Sequence, residues 1–363
     1  MIGTTLARYF WAQFFRWIAG LLMLAFCLIF LFDFLELFRR AGDQSNYSLS
    51  STLLMSLFRV PNLLEQAIPF AVLFGAIGAY RGLSKRLELV VARSVGVSVW
   101  QFSAPAIIFV LVLGLAVVTG FNPLSAYLKR LSDEIGLQLF GAGQRILIQS
   151  TRESWLRQTG DDGESILHAR QSLDQGRRLF GITIYTFGDN ETFRQRIEAK
   201  SAILESGSWA LRDVTVYDKD GKPSRYDRYS VSTYLSAEQI RESFASPNTV
   251  SFWQLPRFIE LARQSGLDAY EYRMQYHTLL SRPLLFIAMV LIAATVSLRI
   301  SRLGGAMPLI LGGIGAGFVL YIIAEVSKDL GGAGIVPPVV AAWSPGVVAS
   351  LIGFTILLNQ EDG

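Results

Sequence analysis

Asp33, Glu36, Arg39 and Arg40 close a stretch that carries no charge from Trp17 to Phe32. On a helix, Glu36 lies beside the residues three and four positions further on, so it can pair with Arg39 or Arg40. Left unpaired, the two guanidinium groups would offer rigid, bidentate donors to an anion such as a phosphate. Asp33 sits deeper, where an ionised carboxylate needs protein or a polar cavity around it rather than acyl chains. Lys129 and Arg130, just beyond another apolar stretch, can bring further cations to the same vestibule. The chemistry on offer here is ionic binding rather than bond making.

A second polar group lies in 84–97. Ser84 can cap a short helix on which Leu87, Val90, Val91 and Ser94 share one side; Lys85, Arg86 and Glu88 carry charge, and Gly96 can end it. Such a segment fits an interfacial helix between spans, or a helix that plugs into a partner with Glu88 as its ionic contact. A third group is the glycine set Gly304, Gly305, Gly312, Gly313, Gly315 and Gly317, in which Gly313 and Gly317 have the four-residue spacing that lets helices approach closely. Static packing and a sliding helix contact both answer to it.

No catalytic residue is named by the chain. A phosphate-binding Gly-x-x-x-x-Gly-Lys-Ser/Thr loop, a Gly-x-Ser-x-Gly turn and a His-Glu-x-x-His helix are all missing. Cys27 is the single cysteine, and His168 and His277 are the two histidines, so no internal disulfide and no metal site is expected. A net charge of +4 is too small to imply nucleic acid.

The elements that must position these residues follow from hydrophobicity. Charged residues make up 17% of the chain, against about 25% in a soluble protein. Crossing a bilayer takes about 20 residues of helix, and six segments qualify, at 16–38, 61–83, 102–122, 277–298, 304–326 and 339–358. The first runs on past a signal-peptide length and is expected to be retained. Arg8, Arg16, Arg81, Lys85, Arg86, Arg93, Arg299 and Arg302 flank the spans on the side of the N-terminus, against Arg39, Arg40, Arg59 and Lys328 on the other; this excess favours cytoplasmic termini. Glu325 and Lys328 are spaced to pair with each other.

Between spans three and four runs a stretch of ordinary polarity far longer than a connection needs. Gln144–Gln149, Gly181–Phe187, Ala202–Leu204, Trp209–Tyr217 and Tyr229–Tyr234, punctuated by turns at Asp189-Asn190, Ser206-Gly207-Ser208 and Asp220-Gly221, predict an antiparallel β domain of sandwich or jelly-roll type. Its alternation slips near Arg212-Asp213, as at a bulge. Ser251 is placed to cap a helix through Gln264, and Asp268 to begin another that leads into span four. The expected fold is an α-helical polytopic membrane protein with six transmembrane helices, plus an extracytoplasmic antiparallel β-jelly-roll domain inserted between helices 3 and 4.

Four stretches, Arg39-Arg40-Ala41-Gly42, Leu87-Glu88-Leu89-Val90-Val91 with Ser94-Val95-Gly96, Ser265-Gly266-Leu267-Asp268 and Ile335-Val336-Pro337-Pro338, resemble the lipopolysaccharide export permease family, with its related F and G subunits. The resemblance covers nearly the whole chain, and the start of the chain with the basic pair after span one is more similar to the G type. It implies the transmembrane subunit of an ABC exporter in a bacterial inner membrane, with both termini cytoplasmic and the large domain periplasmic. The partners implied are an F-type permease, a cytoplasmic ABC ATPase dimer, a bitopic membrane-anchored jelly-roll protein and a periplasmic bridge protein, with lipopolysaccharide as cargo. ATP and Mg would then bind to the ATPase, and this chain would hold no cofactor and no nucleic acid.

Carried onto the matching positions, the resemblance implies headgroup contacts at Arg39, Arg40 and Arg130. It makes 84–97 a coupling helix that meets the ATPase through Glu88, together with Arg86, Val91 and Gly96. Glu36 and Lys129 join Asp33 and Asp133 as cavity polar residues, and Gly312, Gly313 and Gly317 are expected at helix packing or a lateral gate. Asp33 and Asp133 depart from the family, which often has lysine and arginine at these places; that implies a different hold on the headgroup. The expected divisions are 1–122 for spans one to three, 123–250 for the β domain, 251–276 for a helical connector and 277–363 for spans four to six with a short tail. Two other classes compete: a secondary transporter, which needs ionisable residues grouped within the membrane where the sequence offers little beyond Asp33, and a non-transporting scaffold whose β domain binds lipid or protein.

Overall fold

The computed structural model describes residues 4–41, 49–85, 88, 91, 98–144, 154–161, 163–173, 176–188, 192–205, 207–219, 221–234, 247–264, 269–303 and 306–362. In chain order the helices are α1 (Thr4–Ala41), α2 (Leu49–Lys85), α3 (Val99–Ala116), α4 (Asn122–Gln144), α5 (Leu255–Gln264), α6 (Tyr270–Leu303), α7 (Ala306–Gly332) and α8 (Pro338–Asp362). The chain divides into two compact units, one of Met1–Asp133, Ser251–Leu255 and Tyr270–Gly363, the other of Glu134–Val250 and Pro256–Ala269.

In the first unit, six segments are long and apolar enough to cross a membrane: Arg8–Arg39, Leu49–Lys85, Ser103–Gly136, Tyr270–Ser297, Pro308–Gly332 and Pro338–Gln360. Their most apolar windows are unequally covered, 67% buried in α2 and 61% in α6 but only 6% in α1. So α2 and α6 form the axis, and α1 lies against it with most of its surface free of this chain. Where α1 touches α2, Phe14 packs edge-on against Tyr80 with ring centroids 5.1 Å apart, a geometry that sets the positive ring edge on the negative face.

Close approach between the helices is made by small residues. A Cβ on Gly75 would stand 2.5 Å from Ile18 Cγ1, one on Gly114 2.7 Å from Pro283 Cα, and one on Gly313 2.7 Å from Val296 Cγ2. Gly317 faces Leu73 in the same way, whereas Gly312 and Gly315 have nothing within 4 Å. At Gly114 the obstacle is backbone, which cannot rotate away. Gly114→Ala is therefore expected to lower stability by about 1–3 kcal/mol as an overpacked core contact, while Gly312→Ala leaves it unchanged or slightly raised. Thermal midpoints of the two variants in the same detergent check this.

Among the described residues the second unit holds six strands, β1 (Ser154–Gly160), β2 (Gly163–Leu173), β3 (Arg178–Gly188), β4 (Thr192–Glu205), β5 (Ser208–Asp218) and β6 (Pro223–Ser232). They form one antiparallel sheet in sequence order. The antiparallel domain is thus present; its topology among the described residues is a meander, with each strand pairing to its chain neighbour. The ends of the sheet meet, because Tyr234 N–H donates to the Thr159 carbonyl at 3.0 Å. Beside that bond the Tyr234 hydroxyl donates to Asp161 Oδ1 at 2.5 Å, and the hydrogen bond and charge of the carboxylate raise its pKa above the ordinary tyrosine value.

The core of this unit surrounds Trp209, which is fully buried with Leu156, Leu167, Ile184, Ile197 and Leu211. Its indole N–H donates to Gln158 Oε1 at 2.9 Å, and Gln158 Nε2 donates to Ser165 Oγ at 3.2 Å. A buried amide and indole are thereby satisfied without water.

The slip expected as a bulge at Arg212-Asp213 is a different feature. No residue is inserted there: Arg212 pairs with Ser201 and Val214 with Ala199, in register. Instead Asp213 has a left-handed φ of 53° and Gly181 on β3 one of 59°. Buried positions jump from Leu179 to Ile182, from Ala199 to Ala202 and from Leu211 to Val214. Arg170, Gly181, Lys200, Asp213 and Asp227 thus lie in one row across five strands, a crease at which β3, β4 and β5 turn over without changing partners. The register shift of the sheet lies elsewhere, between Thr186 and Phe187. Of the expected strands, Gln144 ends α4 and 145–149 falls outside the described residues. The helix expected from Ser251 begins at Leu255, after a turn in which the Ser251 carbonyl accepts from Gln254 N–H at 2.9 Å.

Candidate functional site

Glu65, 5% exposed in the middle of α2, is a heavily engaged polar group of the bundle. Its neighbours arrive from a break in span three. Asn122 is followed by Pro123, which has no N–H to give to the carbonyl four residues back, at Thr119. The helix answers by widening into a π turn over Val117–Phe121, and Asn122 N–H reaches the Val117 carbonyl. One residue is taken up in that turn, which rotates the following face by about 100° relative to an uninterrupted helix.

That rotation brings α4 onto α2. Asn122 Nδ2 donates to Glu65 Oε1 at 3.0 Å, and Ser125 Oγ to Glu65 Oε2 at 2.9 Å. Two turns further, Ser132 Oγ donates to the Met55 carbonyl at 2.8 Å. From α6, Arg282 makes an ion pair with Glu65 Oε1. The segment after the β unit is tied to the same place: Phe252 N–H donates to Asn122 Oδ1 at 2.9 Å, and Trp253 Nε1 to the freed Thr119 carbonyl at 3.1 Å. Glu65, Arg282, Asn122 and Ser125 form a neutral, hydrogen-bonded group, which is how charge is tolerated at such depth.

The residues expected to bind or couple are placed as follows. Asp33 is paired with Arg59 of α2 at 3.5 Å, with the Asp33 side chain 10% exposed. Glu36 pairs with Arg39 at 2.8 Å, and Lys129 with Asp133 one turn on. Arg130 is half-buried, and its Nε has no hydrogen-bond partner among the described residues. Glu325 and Lys328 are 3.4 Å apart. Tyr9 of α1 donates its hydroxyl to Glu88 Oε1 at 3.1 Å, and Val91 is exposed. Arg86, Gly96 and most of 84–97 lie outside the described residues, as do Gly304, Gly305 and the Arg40 side chain. Among the described residues no group of three or more His, Cys, Asp or Glu converges as on a metal ion.

Glu65, Arg282, Arg59 and Asn122 were not among the expected site residues. The expectation that little beyond Asp33 is ionisable within the spans is corrected by Glu65 and Arg282, which fall inside 61–83 and 277–298. Each is neutralised by the other from a different helix, and a single charge leaves the mean hydropathy of its own span high. A search for single charges inside apolar runs finds both, and the proline after Asn122 marks the break.

The whole-chain pattern has relatives. The family described as lipopolysaccharide export system permease LptF/LptG matches residues 8–359. The lipopolysaccharide export system permease protein LptG of Haemophilus influenzae is 22% identical over 370 residues, covering 99% of each chain. The LptG of Escherichia coli strain K12 is 23% identical over 369 residues, covering 98% of each. With six apolar helices, an antiparallel β unit inserted after the third and a match from end to end, the chain belongs to the LptF/LptG family of lipopolysaccharide export system permeases.

Proposed function

We propose that this chain is the G-type permease subunit of an exporter that lifts lipopolysaccharide from the outer leaflet of the inner membrane and passes it to a periplasmic bridge. The observation that carries this reading is α1. Its apolar window is 6% buried, it presents Leu28, Leu31, Phe32 and Leu35 outward, and it ends in the Glu36–Arg39 ion pair. With Arg40 next to that pair in the sequence, the apolar face ends in a net positive charge, which matches an amphipathic anion with long acyl chains. Arg39 and Arg40, with Arg130, meet the headgroup; Glu36, Lys129 and Asp133 set the local charge, and Asp33 holds Arg59. Gly312 lies on the free side of α7 and serves a lateral opening, while Gly313 and Gly317 seat the helix against its own bundle.

Chemical energy comes from a separate cytoplasmic ATPase dimer that binds ATP and Mg, and an F-type permease completes the membrane cavity. Residues 84–97 carry the force, with Glu88 as the ionic contact. The termini are cytoplasmic and the β unit is periplasmic, where a membrane-anchored jelly-roll protein and the bridge receive the lipid.

Co-purification of the tagged chain from native membranes, with mass spectrometry of proteins and lipids, is expected to recover a P-loop ATPase, a second six-span permease and lipopolysaccharide. Glu88→Ala should reduce the ATPase recovered about tenfold, the effect of losing one charge-assisted contact. Full recovery with full lipid-stimulated hydrolysis would sink the Glu88 assignment. A solitary chain would favour a scaffold or a secondary transporter instead.

A further inference from the structure

The β unit interrupts the membrane bundle between Asp133 and Ser251, so the chain leaves through α4 and returns at 251–255. The outgoing end is fastened to one carboxylate, and the returning end to the helix turn which that carboxylate holds. The outgoing end is held by Asn122 Nδ2 and Ser125 Oγ on Glu65. The returning end is held by Phe252 N–H on the other pole of the same Asn122 amide, and by the Trp253 indole on the carbonyl that Pro123 leaves free. Glu65 is in turn clamped by Arg282, so the two axial helices α2 and α6 meet at this point. Apolar packing would let these elements slide over one another, but directional hydrogen bonds shielded from water do not. The π turn adds geometric sensitivity, because its loss would swing Asn122 about 100° away from Glu65.

We infer that Glu65 and Asn122 are positioning residues for lipid transfer: they make any movement of the joined α2–α6 pair reorient together both chain segments that lead to and from the β unit. This role rests on the export reading. It assigns no ligand to the cluster, whose polar atoms are engaged with one another.

The test uses the whole transporter in lipid nanodiscs, with Asn122→Ala, which leaves the Glu65–Arg282 pair in place, and Trp253→Phe, which removes only the indole donor. Two quantities are read: amide exchange at Phe252, and lipopolysaccharide moved to the bridge protein per ATP hydrolysed. Asn122→Ala is expected to speed Phe252 exchange about tenfold, as loss of its single acceptor requires, and to lower lipid moved per ATP about fivefold. The amount of ATPase retained stays at the wild-type level. Trp253→Phe lowers the same ratio by a smaller factor, and it carries the test alone if Asn122→Ala does not assemble. Unchanged Phe252 exchange overturns the joint. A smaller yield of complex with an unchanged ratio overturns the positioning role, since a purely structural residue alters how much transporter exists and not how well it couples. A wild-type complex that moves no lipid overturns the export reading and this role with it; an active wild type beside an unaffected Asn122→Ala overturns the role alone.

Discussion

Glu65→Ala is expected to strip the membrane of most folded protein. The substitution leaves Arg282, whose side chain is 15% exposed, without its counter-charge, and leaves Asn122 Nδ2 and Ser125 Oγ without their shared acceptor. Removing one member of a buried ion pair costs about 3–5 kcal/mol, a large share of the roughly 5–15 kcal/mol that holds a typical domain folded. Membrane level and thermal midpoint in detergent measure the loss. The double variant Glu65→Leu, Arg282→Met should recover most of it, because apolar side chains of similar volume replace a pair whose desolvation offset much of its attraction. A double variant as damaged as Glu65→Ala would show that the carboxylate acts through something other than Arg282.

Trp209→Ala should have a comparable effect confined to the β unit. Trp209 is fully buried, and truncating such a side chain to alanine costs about 3–5 kcal/mol. Gln158 Oε1 also loses its donor. Limited proteolysis of the full chain is expected to cut the β strands while fragments from the membrane unit persist, and wild-type resistance would refute the prediction. Trp209→Phe should fall between the two, since the ring is largely restored but the unpaired amide still costs about 1–3 kcal/mol.

The spans were legible because hydropathy is a local property; each expected segment overlaps an apolar helix of the bundle. Strands β3 and β5 were legible for a related reason, since Ile182, Ile184, Val214 and Val216 keep a two-residue alternation, whereas of β4 only Ala202–Leu204 was expected. β1 and β2 were not, because Arg157, Glu164, His168 and Arg170 interleave with the few core residues Leu156, Leu167 and Ala169 and leave no apolar run. In the site, the Glu36–Arg39 pair is written in a three-residue spacing. Lys129 and Asp133 carry the same kind of information four residues apart. Glu65 and Arg282 are 217 residues apart, and Asp33 meets Arg59 across two helices. No periodicity encodes such partners, which come together only once the helices have packed.

The crease through Arg170, Gly181, Lys200, Asp213 and Asp227 bears on how the sheet finds its alignment. In an ordinary meander each strand could slide by two residues and still present apolar side chains to the core. Here a slide of β5 along β4 would carry Asp213 away from Lys200, so that one strand turned over where its neighbour did not, and the core residues beyond the crease would point to the wrong side. Since Gly181 and Asp213 hold the left-handed φ that makes the turnover, the row behaves as a notch cut at one height through β3, β4 and β5. It leaves a single pairing in which every notch coincides.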